Sequence, residues 1–242
     1  MSNNRKFTLI ELLVAIAIIG ILASLLLPTL SKARKTSLTA VCNNQMRQII
    51  IAEHMYTSDN NGEFVSVRDD SGTGVWDMYL AQNYMNAPIS DAVHKPVNIN
   101  ITEASHPAVY NAMEKIILCP NDTKWKSSIA GTLRRTYAKS MRTSGVRFIH
   151  AGEIKTFYPN LNITSIERPS EIFQFIEQQH STNILAKVSH AGYLDSARYQ
   201  LMANALPKLT YHKNSHYNYA FVDGSVRLID VNSAASGDHW RP

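Results

Sequence analysis

Residues Phe7 to Leu30 read FTLIELLVAIAIIGILASLLLPTL. Of these 24 positions, 18 are apolar and one, Glu11, is charged. As a helix rising about 1.5 Å per residue, the run is about 36 Å long, enough for a bilayer core of ~30 Å. A cleaved secretory signal has a shorter apolar region of about 7–15 residues and ends in a small-x-small site. Leu25-Leu26-Leu27-Pro28 is no such site. A buried core helix is rarely apolar all round over about five turns. A single membrane span fits best, and the rest of the chain holds no second run of that kind.

The chain has 242 residues, 24 Lys+Arg, 19 Asp+Glu, two cysteines, 45% hydrophobic residues and a formal net charge of +5. These values argue against a disordered, collagen-like, disulfide-dense or multi-span chain. The excess charge is uneven. Residues 1–58 hold six basic groups (Arg5, Lys6, Lys32, Arg34, Lys35, Arg47) against Glu11 and Glu53, and residues 59–242 carry only +1. Basic residues thus flank the span, the pattern of membrane-edge anchoring and not of a nucleic-acid-binding face. With Arg5 and Lys6 on one side and Lys32, Arg34 and Lys35 on the other, charge alone leaves the orientation close to a tie.

Glu11 is the informative residue, because a lone carboxylate in an apolar span costs about 2.5 kcal/mol or more unless paired or neutralised. Either it lies at the interface and reaches water, or it seeks a positive group, such as a free α-amine, on a neighbouring chain. The segment Lys6-Phe7-Thr8-Leu9-Ile10-Glu11 through Ala23, with Pro28 beyond it, resembles the signal shared by type IV pilins and type II secretion pseudopilins. The resemblance implies cleavage between Lys6 and Phe7 by a prepilin peptidase on the cytoplasmic side, and N-methylation of Phe7. It implies that Glu11 pairs with the Phe7 amine of an adjacent subunit, and that Pro28 is the helix-kinking proline. It further implies a single-pass bacterial inner-membrane protein with a cytoplasmic N-terminus and a C-terminal domain outside the cytoplasm. Its partners would be other pilin or pseudopilin subunits, an inner-membrane assembly platform and the lipid bilayer. One departure is Lys6, where the family has Gly or another small residue. An uncut chain would stay a membrane-anchored monomer.

Beyond the span, Leu38, Val41, Cys42, Met46, Ile49 and Tyr56 recur at helical spacing among Asn43, Asn44, Arg47 and Gln48. This predicts one long, bent helix over about residues 7–57, ended by Asp59-Asn60-Asn61-Gly62. The chain divides into a leader (1–6), a transmembrane or filament-core helix (7–30), an amphipathic extension (31–58) and a globular domain (59–242). In the domain the spacing predicts helices over Trp76–Met85 and Pro107–Lys115. It predicts strands over Glu63–Val67, Arg134–Ser140, Val146–His150, Glu171–Glu177 and Tyr217–Asp230. The last contains Asp223-Gly224, read as a two-residue type I′ turn. The class is α+β, one long N-terminal helix packed on a mainly antiparallel sheet, pilin-like.

Scattered pieces resemble a branch of the same family, named for a prepilin-type leader plus a C-terminal His, nine residues, then Asp-Gly. They are Cys42 to Gln48, His54-Met55-Tyr56, Asp59 to Gly62, Cys119-Pro120-Asn121-Asp122, Pro169-Ser170-Glu171 and Phe221 to Val226. The C-terminal signature departs from the branch: ten residues lie between His212 and Asp223, and six between His216 and Asp223.

In the extracytoplasmic setting that the resemblance implies, Cys42 and Cys119 suffice for one disulfide, the alternative being two buried thiols. His212 and His216 have metal-ligand spacing only on a helix, so no metal is assigned to them. Asp59 to Glu63 offers oxygen ligands for calcium but lacks a twelve-residue loop and is better read as a turn, so no cofactor is expected. The tryptophans Trp76, Trp125 and Trp240 suit a core or a binding face. No nucleophile elbow, phosphate loop or dinucleotide fingerprint is present, and the chain is not expected to be an enzyme. The expected function is that of a structural subunit of a type II secretion pseudopilus or type IV pilus-like filament. The alternatives are a membrane-tethered module binding glycan or metal, and a DNA-uptake minor pilin using Arg134, Arg135, Lys139 and Arg142. The near-neutral domain disfavours nucleic acid.

Overall fold

In a computed structural model the described residues are 8–69, 74–90, 93, 101–122, 131–140, 143–144, 146–150, 153–158, 160–177, 193–194, 212 and 216–230. Helix α1, Leu9–Asp59, runs 51 residues and continues on both sides of Pro28. Its two halves have opposite environments. The large apolar side chains from Leu9 to Leu30 are 49–79% exposed, whereas Cys42, Met46, Ile49, Ile50, Ala52 and Tyr56 are buried. In the apolar half, Ser24 and Thr29 return their hydroxyls to the carbonyls of Ile21 and Leu26 (2.7 and 2.8 Å), so these polar atoms are satisfied without water. The expected amphipathic face holds for Cys42, Met46, Ile49 and Tyr56. Val41, however, is 44% exposed, and the polar Gln45 and Glu53 are buried in its stead.

The helix ends where the turn chemistry predicts. Gly62 N–H donates to Thr57 O (2.7 Å), and Asn61 and Gly62 adopt positive φ of 54° and 83°.

The domain adds β1 (Arg68–Asp69), β2 (Gly74–Val75), α2 (Trp76–Tyr84), α3 (Pro107–Ile117), β3 (Tyr137–Ser140), β4 (Val146–His150) and β5 (Glu153–Tyr158). Strands β6 (Phe173–Glu177), β7 (Tyr193–Leu194), β8 (His216–Phe221) and β9 (Val226–Asp230) complete it. One sheet has the order β7-β3-β6-β8-β9, antiparallel except for the short β3–β7 pair. The other has the order β2-β1-β4-β5, with β1 and β4 parallel. Helix α1 lies on β6, β8 and β9 and against α2 and α3. Its buried residues join Trp76, Met113, Tyr137, Phe175 and Ala220 in one core. On the opposite face of the sheet Phe173 stacks on Tyr219 and Phe221, at ring separations of 4.6 and 4.9 Å. The α+β class and the seating of a long helix on an antiparallel sheet are as the sequence predicts.

Two local expectations need correction, and one strand is added. Glu63–Val67 is not a strand. Only Glu63 forms a bridge, with Asn162, while Phe64 N–H donates to Leu161 O and Val65 N–H to the Glu53 carboxylate (2.9 Å). Strand β5 was not anticipated. The Asp223-Gly224 turn is not type I′, which needs positive φ at both residues. Gly224 alone has it (84°), Gly224 N–H donates to Phe221 O, and Phe221 N–H to Ser225 O. That pattern matches the three-residue hairpin closed by a glycine bulge.

Candidate functional site

The first candidate surface is the exposed half of α1. Thr8 is its N-cap, and Thr8 Oγ1 accepts from Glu11 N–H (3.3 Å). Glu11 Oε2 in turn accepts from Thr8 N–H and Thr8 Oγ1–H, both at 2.9 Å. This is a reciprocal capping box, which satisfies donors that the first helical turn leaves open. The Thr8-x-x-Glu11 spacing is its sequence signal, and reading Glu11 only as an interfacial or partner-seeking charge misses it. Lys6 and Phe7 lie outside the described residues. Pro28 is exposed within the helix. Helix α1 is long and apolar enough to cross a membrane, with a mean hydropathy of 2.8 over its most apolar window and none of that window buried.

The second candidate is the collar where α1 enters the domain, and there the sequence pieces around Cys42 and Cys119 meet. Cys42 on α1 and Cys119, just past α3, form a disulfide with their Cα atoms 5.0 Å apart. Three residues further along α1, Gln45 donates through Nε2 to the carbonyls of Lys115 and Leu118 (2.7 and 3.1 Å), holding the α3 C-terminus beside Cys119. Tyr137 Oη of β3 stands 2.8 Å from Gln45 Oε1 and 3.1 Å from Cys42 O. Burial raises the Tyr137 hydroxyl well above its ordinary value, and the Glu177 charge adds to the shift.

His212 and His216 part company. His212 is buried, with Nε2 2.9 Å from Glu177 Oε1 and 4.0 Å from Cys119 Sγ, and Nδ1 2.8 Å from Thr39 Oγ1. His216 opens β8 and sits half-exposed, 3.9 Å from Asp230. The pair therefore shares no metal site, since β8 begins where a helix would be needed. Asp223 accepts from Ser225 N–H (2.9 Å), and Gly224 lies against His54, whose Nε2 would be 3.3 Å from an added Cβ. The Asp-Gly signature thus docks the β8–β9 hairpin on α1. At the helix end, Asp59 accepts from Tyr84 Oη (3.2 Å), and Asn60 Nδ2 donates to Tyr56 O (2.8 Å).

The basic cluster proposed for DNA is internal. Arg134, Arg135 and Lys139 are buried, and each meets a carboxylate from a different layer: Asp122, Asp77 and Glu53 respectively. Burial drives the last pair toward neutrality, raising Glu53 and lowering Lys139 to about 8, with mutual attraction opposing both shifts. These three bases form no surface patch, and Arg142 lies outside the described residues. Trp76 is core, 5.1 Å from the Phe175 ring, while Trp125 and Trp240 also lie outside the described residues.

Residues 1–27 match the family model for the prokaryotic N-terminal methylation motif. The chain is 46% identical over 61 residues to the type IV wide pilus major component PilA4 of Thermus thermophilus, a stretch covering 25% of this chain. It spans about half the length of that curated relative, 47%. No solved structure matches it. With the methylation motif heading a 51-residue helix that is bare in its apolar half and seated on an antiparallel sheet in the other, the N-terminal quarter of this chain is similar to a type IV pilin.

Proposed function

We propose that the chain is a structural subunit of a type II secretion pseudopilus or type IV pilus-like filament, and that it acts by assembly and not by catalysis. The observation that carries this reading is the bare apolar half of α1, Leu9 to Leu30, whose large apolar side chains are all exposed among the described residues. Such a surface is stable only in lipid or against other apolar helices. In the membrane state the subunit is single-pass, with its N-terminus cytoplasmic and its domain on the far side. A prepilin peptidase cuts between Lys6 and Phe7, and an assembly platform delivers the helix into a bundle.

Glu11 then exchanges part of its capping role for the Phe7 amine of the adjacent subunit. Both interactions offer donors to one carboxylate, so the capping box keeps Glu11 satisfied until the partner arrives. Intact-mass analysis of the protein extracted from its native membrane tests the processing step. The expected species lacks residues 1–6 and carries one methyl group on Phe7. A mature pool that retains Met1 to Lys6 contradicts it. That result would favour a membrane-tethered binding module, the reading that the long side chain of Lys6 supports.

A further inference from the structure

Around the disulfide, four elements deliver four donor atoms to one buried spot. They are Cys42 from α1, Cys119 from the turn after α3, Glu177 from the end of β6 and His212 from the chain ahead of β8. Their ligand atoms all lie within 4.8 Å of one another, and all four residues are buried. Two thiolate sulfurs, one imidazole nitrogen and one carboxylate oxygen match in kind and number the donors of a four-coordinate zinc site. With metal–ligand bonds of about 2.0–2.3 Å, such a set needs its atoms about 3.3–3.8 Å apart. Cys119 Sγ to His212 Nε2, at 4.0 Å, is already close to that. The sulfurs need to part, which they do once they are thiols.

The outer contacts have the form that metal ligands need. Thr39 Oγ1, whose hydroxyl reaches Lys35 O (2.9 Å), stands 2.8 Å from His212 Nδ1 and orients the ring so that Nε2 faces Cys119 Sγ and Glu177. Asn121 Nδ2 stands 3.4 Å from the same Nδ1. Glu177 is held by Asn218, whose backbone N–H donates to Oε2 (2.8 Å) and whose Nδ2 donates to Oε1 (2.9 Å). In the oxidised chain His212 Nε2 and Glu177 Oε1 satisfy each other at 2.9 Å, and in the reduced chain a divalent ion can take the place of the proton between them.

We propose that, in the reduced chain, Cys42, Cys119, His212 and Glu177 bind one zinc-class divalent ion, so that the collar is fastened by metal before oxidation and by the disulfide after it. Binding forms two Zn–S bonds, one Zn–N bond and one Zn–O bond. It releases both thiol protons to water, with the Nε2 proton when the ring carries one. The sequence hides this site because its ligands are far apart and follow no Cys-x-x-Cys spacing.

The test uses the full chain in detergent, reduced under argon by a water-soluble phosphine. The phosphine gives two electrons to the disulfide, takes oxygen from water to become the phosphine oxide, and leaves two thiols. The chain is then titrated with Co²⁺ and with Zn²⁺. One Co²⁺ per chain is expected, with a thiolate-to-cobalt charge-transfer band that Zn²⁺ abolishes. Zinc should slow alkylation of both cysteines by roughly tenfold or more, and the oxidised chain should bind neither ion. His212→Ala and Glu177→Gln should each weaken binding by roughly tenfold or more. His216→Ala, at a residue outside the four-ligand cluster, should not.

If those variants fail to fold, X-ray absorption on the reduced wild-type chain decides. Two sulfurs at about 2.3 Å and two lighter atoms at about 2.0–2.1 Å support the site. A reduced chain that loses its fold and regains it with zinc also supports it. No stoichiometric cobalt, no sulfur in the metal shell, folded His212 and Glu177 variants that bind like wild type, or a reduced fold lost and not restored by zinc would each overturn it.

Discussion

Gly62 and Gly224 hold the two turns that lock the domain to the end of α1, and they differ in what a methyl group would meet. Both have positive φ, 83° and 84°, which costs an L-residue about 1–2 kcal/mol. At Gly224 an added Cβ would lie 3.3 Å from His54 Nε2, a contact a small ring shift relieves. At Gly62 it would lie 2.7 Å from Asn162 Oδ1. The Asn162 side chain is held by bonds to Asn61 O (2.6 Å) and Thr164 N–H (3.0 Å). Gly224→Ala should therefore cost roughly 1–2 kcal/mol, and Gly62→Ala more, since backbone strain and the loss of the Asn162 contacts add. Denaturant unfolding of the full chain in detergent checks the order, and equal losses would contradict the account.

At the scale of elements, the joint between α1 and β3 carries a pH signature. Tyr137 gives up its proton near 10.0 when unfolded but well above that when folded, because burial and Glu177 oppose the phenolate. The folded state thus binds more protons above pH 10. The contribution is complete below that pH and is lost as pH rises further, by up to about 1.4 kcal/mol per pH unit. Tyr137→Phe should make the alkaline fall in stability shallower than in wild type, as melting curves between neutral pH and pH 11 would record. An unchanged slope would show that the group does not titrate differently on folding.

The same joint shows what the sequence could and could not tell. Helical periodicity marked Cys42, Met46, Ile49 and Tyr56, because apolar burial leaves a period. Gln45 and Glu53 are inside for another reason. Each is matched by a partner distant in sequence, the α3 carbonyls or Lys139, and such pairing leaves no local pattern. Arg134, Arg135 and Lys139 looked like a surface patch for that same reason. The capping box was legible as Thr8-x-x-Glu11, while the convergence of Cys42, Cys119, Glu177 and His212 was not, since it depends on the packing of four elements. The short pieces shared with the pilin-like branch were visible, but only the fold gathers them, at the disulfide collar and at the C-terminal end of α1.

For the molecule as a whole, the disulfide closes a 77-residue separation between α1 and the domain. In the chain-entropy model, removing it with Cys42→Ser and Cys119→Ser together costs roughly 4 kcal/mol, to be read as a lower denaturation midpoint of the oxidised protein. An unchanged midpoint would mean that the collar is held by its other contacts. The central claim is that the bare half packs against its like. A photo-crosslinking amino acid at Ile19, which is 64% exposed, tests it in cells that make the assembled structure. The account predicts a ladder of crosslinked subunits in the wild-type background, lost or strongly reduced by Glu11→Val while the chain still fractionates with the membrane. A chain that stays monomeric at Ile19, or a ladder that Glu11→Val leaves untouched, would contradict it.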